Sequence, residues 1–121
     1  MLGHKVFGAG IPGLAVQALC QDVATGITAA GTTQGTATEL TSAANVVGTV
    51  GAGSGVICYS GMVPVDSQLV FNGGANPLKV YPPTGFKINN LPTNTGIILP
   101  TNTAIWLICV TSTQIVAILS A

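Results

Sequence analysis

The chain has 121 residues, enough for one domain, and only 5% of them are charged although 48% are hydrophobic. A typical soluble domain carries about 25% charged residues, so uncharged side chains must form most of this surface. Three lysines balance three acids, which excludes the basic surface that nucleic-acid binding requires. A chain without net charge also lacks the self-repulsion that keeps monomers apart, and this favours a protein that works in an assembly.

The first 30 residues are rich in glycine and alanine and have no sustained strand period. We predict that residues 1–30 form an arm and that residues 31–121 form the folded domain. Lys5 and the apolar residues after it resemble a signal peptide, but Gly8, Gly10, Pro12 and Gly13 interrupt that stretch. No apolar run in the chain approaches the roughly 20 residues of a membrane span, so we expect a protein outside the membrane, made in the cytoplasm.

From Gln34 onward the residues become β-branched and are divided by Gly, Pro, Asn and Thr turns, a pattern typical of short strands. The segment 72–77 contains residue types that tolerate positive φ, so it predicts a hairpin between the strands on either side. The last two strands are apolar on both faces, which indicates burial by a second sheet and a neighbouring subunit, or a central position in a sandwich. The predicted strands are 34–40, 46–50, 56–59, 67–71, 78–81, 96–99, 104–110 and 114–119, and residues 84–95 are predicted to be turns around a short piece at 86–88.

This series of strands predicts an all-β fold, a compact antiparallel β-sandwich of the jelly-roll type with a Gly/Ala-rich N-terminal arm. The turn residues exclude a helical bundle. Six charged side chains cannot cover such a domain, and uncovered apolar strips are adhesive, so we predict an oligomer.

The residues that could carry catalysis are few. His4 is the only histidine and lies in the predicted arm, where it lacks an orienting partner. Asp66 is expected to bond local backbone amides in a turn, and Lys79 and Lys87 to point to solvent. We therefore predict that the protein is not an enzyme and binds no metal.

Three further patterns have ordinary structural explanations. The segment Gly8–Gly13 has the spacing G-x-G-x-x-G, but no adequate strand precedes it and no acid ends a strand about 20 residues later, so we expect no dinucleotide cofactor. Cys20, Cys58 and Cys109 are odd in number and widely spaced, so we expect reduced, mostly buried thiols. Tyr59, Tyr81 and Trp106 could form a sugar-binding platform, but their spacing favours core and interface positions.

Three blocks carry a resemblance to a known family: Thr25–Gln34, Gly51–Val56 and, most specifically, Val70–Gly85 with its Asn-Gly-Gly-Ala-Asn-Pro turn and Leu-Lys-Val-Tyr-Pro-Pro strand. From Asp22 to Ala121 the chain resembles small bacteriophage virion proteins and the tip domains of tail fibres and tailspikes. The resemblance implies a trimeric β-sandwich. Its implied function is that of a cement protein outside the capsid or of a distal tip.

Because the predicted arm is short, we expect the cement function. In it a homotrimer on the outer capsid surface ties major capsid proteins together, partly through exchange of the arm. The alternative is a host-adhesion module that binds a glycan through Tyr59, Tyr81 or Trp106. The predicted assembly contacts are His4, Lys5, Phe7, Ile11, Leu14 and Trp106.

Overall fold

The computed structural model describes residues 22–120, which contain ten β-strands, one turn of 3-10 helix and no α-helix. Most strands begin within two residues of the sequence-based prediction, and the 3-10 turn occupies part of the first predicted strand. The strands are β1 (Val23–Thr28), β2 (Thr38–Glu39), β3 (Ala44–Thr49), β4 (Gly55–Ile57), β5 (Ser67–Asn72), β6 (Leu78–Tyr81), β7 (Lys87–Ile88), β8 (Ile97–Leu99), β9 (Ala104–Cys109) and β10 (Gln114–Leu119); the 3-10 turn is Gln34–Thr36.

The strands form a six-stranded sheet, in the order β1-β3-β5-β9-β10-β7, and a four-stranded sheet, in the order β2-β4-β6-β8. The chain alternates between them, so that β1, β3 and β5 stack in parallel in the first sheet. Strands β2, β4 and β6 stack in parallel in the second. Each circuit of the chain thus adds one strand to each sheet, which defines a β-solenoid of about four turns.

The last turn runs in the opposite direction. Strand β8 pairs antiparallel with β6, and β9 pairs antiparallel with β5. Strand β10 then forms a hairpin with β9 and pairs in parallel with the short β7. This reversal ends the parallel stacking of β1 to β6, and β7 adds one parallel pair at the far edge of the six-stranded sheet.

The prediction of an antiparallel jelly-roll sandwich is therefore wrong, although the all-β class is right. The predicted hairpin at 72–77 is also wrong, because β5 and β6 lie in different sheets. The segment is a corner of the solenoid. The Asn72 amide donates to the carbonyl oxygens of Asn76 at 2.9 Å and Leu99 at 3.0 Å, and Asn76 donates to that of Val50 at 2.8 Å. These bonds tie the corner to the solenoid turns before and after it.

The core lies between the two sheets and is mainly aliphatic. Inward-facing residues pair in register across neighbouring strands, as Val70 does with Ile105 and Leu78 with Leu99. The buried amide of Gln68 donates to the carbonyl oxygens of Leu40 and Ser42 and accepts a bond from the Tyr59 backbone, so burial leaves it fully partnered.

Strand β1 lies inside the segment 1–30 that the sequence suggests is an arm. Val23 to Thr28 pair with β3, so residues 22–30 belong to the solenoid. The remainder of the predicted arm, residues 1–21, lies outside the described residues. Five of the predicted assembly contacts lie there as well: His4, Lys5, Phe7, Ile11 and Leu14.

Candidate functional site

The outward side of the six-stranded sheet carries a continuous row of apolar side chains. Strand pairing places Val23, Ala44, Leu69, Trp106 and Ile118 side by side across β1, β3, β5, β9 and β10. Successive residues of a strand point to opposite faces, so these five share the outer one while their neighbours enter the core. We call them the Trp106 row.

Apart from the small, half-buried Ala44, the side chains of the Trp106 row are large and open to solvent. Leu69 is 43% exposed, Trp106 49% and Ile118 55%. Two further rows flank it, one formed by Val46, Phe71 and Ala104 and the other by Ser67, Ile108 and Val116. The three rows together form what we call the open face. Monomeric soluble proteins seldom leave such a continuous apolar patch uncovered, so the open face is the candidate functional site.

The open face carries no charge. Strands β1, β3, β5, β9 and β10 contain no acidic or basic residue at any position. Among residues 22–120, charged side chains lie around its margin: Asp22 precedes β1, the half-buried Asp66 precedes β5, and Lys87 lies in β7 at the other side edge. A surface of this kind can be buried against another apolar surface without desolvating any ion.

The outward side of the four-stranded sheet is built differently. Tyr81 points outward from β6, and its ring lies over Gly55 and Gly96, where an added Cβ would lie 2.8 Å and 3.0 Å from ring carbons. The segment 30–37 covers that ring. The Tyr81 hydroxyl donates to the Thr32 carbonyl at 3.2 Å, and the Gln34 amide donates to the Pro82 carbonyl at 2.9 Å. The chain thus covers the Tyr81 part of this face itself, while Ile98 on β8 stays exposed.

The three aromatic residues considered for sugar binding do not form one platform. Tyr81 is buried beneath the segment 30–37, whereas Tyr59 is exposed in the loop after β4. Trp106 stands on the open face between Leu69 and Ile118, which are aliphatic. Of the three candidate aromatic residues, a sugar ring would therefore meet only Trp106 there, and Phe71 in the flanking row is half-buried.

Of the predicted assembly contacts, only Trp106 lies among the described residues, and it is at the centre of the open face. Its partners Leu69 and Ile118 were missed. The uninterrupted apolar sequence of β9 and β10 did indicate that both of their faces need cover. The residues beside Trp106 are determined by the register between strands. The apolar sequence of β9 and β10 does not reveal that register.

The two cysteines among the described residues are free and buried, as predicted, and Cys20 lies outside them. Burial raises the pKa of the Cys58 thiol to about 12. Burial, with a contribution from the Asp66 carboxylate, also raises the pKa of Cys109. Both thiols are therefore protonated near neutral pH and are poor nucleophiles.

The acidic groups make structural bonds. Asp66 accepts a hydrogen bond from the Val63 backbone at 3.1 Å, which confirms the predicted turn role, and Glu39 accepts one from the Ser60 backbone at 2.9 Å. Within residues 22–120, no group of three or more His, Cys, Asp or Glu side chains is placed to hold a metal ion. No helix in that part of the chain is long and apolar enough to cross a membrane.

The fold and the face together define a class of molecule: a short β-solenoid with one face that the chain partly covers and one open apolar face. Comparison with protein families, with curated proteins and with solved structures gives no match to this chain.

Proposed function

We propose that this protein is a cement protein of a bacteriophage virion, made in the host cytoplasm, which binds the outside of the capsid as a homotrimer and reinforces the contacts between major capsid proteins. The observation that carries the proposal is the open face, an uncharged apolar surface with Trp106 at its centre. Such a surface is unfavourable in water and favourable in a permanent contact.

The sequence resemblance supplies the setting. The block Val70–Gly85, which resembles small phage virion proteins most closely, forms the end of β5, the corner at 72–77 and β6. The sandwich that this resemblance implied is incorrect, so the proposal does not depend on it. We retain the trimer as the proposed oligomeric state and the major capsid protein as the proposed partner.

The proposed mechanism is mechanical. A partner that binds only the assembled state of the shell stabilises that state by mass action. The hydrogen-bonded ladders connect the solenoid turns along both sheets, so the unit can transmit a load across a joint between capsid subunits. No chemical step is required of any residue.

The alternative is a host-adhesion module on a fibre, spike or capsid protrusion. The burial of Tyr81 removes one of the three aromatic residues that this function would use. The open face is mostly aliphatic around its one tryptophan, a composition better suited to protein contacts than to sugar stacking. The cement function therefore has the stronger support.

Copy number in purified virions tests the proposal directly, by quantitative mass spectrometry against the major capsid protein. A ratio near one copy per major capsid protein is expected for a protein that covers the shell. A ratio of a few per cent would place the protein at the tail or a single vertex and contradict the cement function.

A further inference from the structure

We infer that the open face packs against the open faces of further copies of this chain, in a closed ring whose rotation axis runs parallel to the strands of the six-stranded sheet. The inference rests on the proposed function for its virion setting and names the partner that covers the open face. The contact between copies is inferred from three properties of the open face: its lack of charge, its area and the charged residues at its edges.

The absence of charge makes the open face compatible with itself. Identical charged surfaces repel each other unless their charges alternate, whereas none of the five strands of the open face carries a charge. Trp106 and Leu69 are adjacent in register, so a second copy would meet a tryptophan flanked by aliphatic side chains, a composition found at the centres of tight interfaces.

The open face is also large enough. Five strands spaced by about 4.8 Å, each six residues long at about 3.3 Å per residue, give a face of about 480 Å². Two copies would together bury about 1,000 Å², which is the lower limit for a specific protein interface. Association is therefore expected to depend on concentration and to be complete at the high local concentration on a capsid.

The charged edges select the direction of the axis. A rotation about an axis parallel to the strands brings the β1 edge of one copy, with Asp22, alongside the β7 edge of its neighbour, where Lys87 lies about 10 Å further along the strand direction, close enough for attraction at low salt. This holds for a pair and for a trimer. A two-fold axis across the strands would instead place Asp22 opposite Asp22 and Lys87 opposite Lys87, which is repulsive.

The experiment measures the mass of the full 121-residue chain by sedimentation equilibrium, from nanomolar to high micromolar concentration, without any capsid present. The test variant is Trp106→Thr. The matched control is Ile98→Thr, because Ile98 has the same exposed fraction of 49% and points outward from the four-stranded sheet. Circular dichroism and thermal melting verify that both variants fold.

We expect the wild-type chain and Ile98→Thr to associate equally, and Trp106→Thr to associate at least about tenfold more weakly, the usual cost of removing a central tryptophan. A chain that stays monomeric at all concentrations would overturn the inference. If that monomer still binds capsids, the cement function stands without the trimer, and the capsid covers the open face. Equal weakening in both variants would overturn the assignment of this face.

A charge exchange tests the axis. Asp22→Lys and Lys87→Glu are each expected to weaken association roughly two- to fivefold at low salt, as exposed ion pairs do, and the double variant to restore it. Failure of the double variant to recover would overturn the parallel axis.

Discussion

Tyr81 and Trp106 occupy comparable positions, each pointing outward from a strand within its sheet, but only one of them is covered. Tyr81 lies beneath the segment 30–37, which hydrogen-bonds to its hydroxyl, and is 7% exposed. Trp106 is 49% exposed, and no segment among residues 22–120 crosses the open face. The comparison indicates that an outward aromatic residue stabilises the fold where another segment of the chain packs over it. Where no segment does so, the residue is available to contact a partner.

The largest expected loss of stability comes from a substitution beneath Tyr81, on the four-stranded sheet. A methyl group at Gly55 would lie 2.8 Å from the Tyr81 ring and 3.0 Å from the Lys79 carbonyl oxygen, so Gly55→Ala must displace the ring and loosen the segment above it. We expect a loss of about 2 kcal/mol in the free energy of unfolding, measured by chemical denaturation.

Gly35→Ala is the control for that variant, because Gly35 lies in the same covering segment and a methyl group there would contact nothing within 4 Å. Its stability should stay near that of the wild type. If Gly55→Ala were equally harmless, the close packing of Tyr81 on the four-stranded sheet would be wrong.

A smaller effect is expected from the hydroxyl of Tyr81. Tyr81→Phe removes the hydrogen bond to the Thr32 carbonyl and leaves that partly buried oxygen without this donor, which costs about 1 kcal/mol. Chemical denaturation again gives the free energy of unfolding. Tyr59→Phe alters an exposed ring and should change it little. Equal losses in the two variants would mean that the covering segment does not depend on this bond.

The smallest expected change in stability comes from Val65, in the loop between β4 and β5 beside the open face. Val65 has φ of 73°, a left-handed conformation that is strained for a β-branched residue, and its side chain is 73% exposed. Asparagine tolerates this conformation, so Val65→Asn should stabilise the fold by about 0.5 kcal/mol, read as a small rise in melting temperature. A lower melting temperature would show that the valine side chain contributes packing that outweighs its backbone strain.

The sequence predicted the strands far better than their arrangement. Residues 78–81 were predicted as a strand and form β6 with the same bounds, because local β-propensity and the two prolines that follow determine them. The turn at 72–77 was also recognised. Local sequence does not determine whether the chain forms a hairpin with the preceding strand or crosses to the other sheet. Here, hydrogen bonds from Asn72 and Asn76 to neighbouring solenoid turns decide it.

The same limit applies to the candidate site. The apolar sequence of β9 and β10 predicted that both faces of these strands need cover, and Trp106 was predicted as a contact. The participation of Leu69, more than 30 residues earlier in the chain, follows only from the register between β5 and β9. Long-range register is a property of the packed solenoid and could not be obtained from the spacing of residues along the chain.

Trp106 is the only tryptophan in the protein, so its fluorescence reports on the open face without any label. The most direct test is acrylamide quenching of this fluorescence over a range of protein concentrations. If the open face is a contact surface between copies, quenching will fall and the emission will move to shorter wavelength as concentration rises. Emission typical of a water-exposed tryptophan at every concentration, and also on the capsid, would contradict the account.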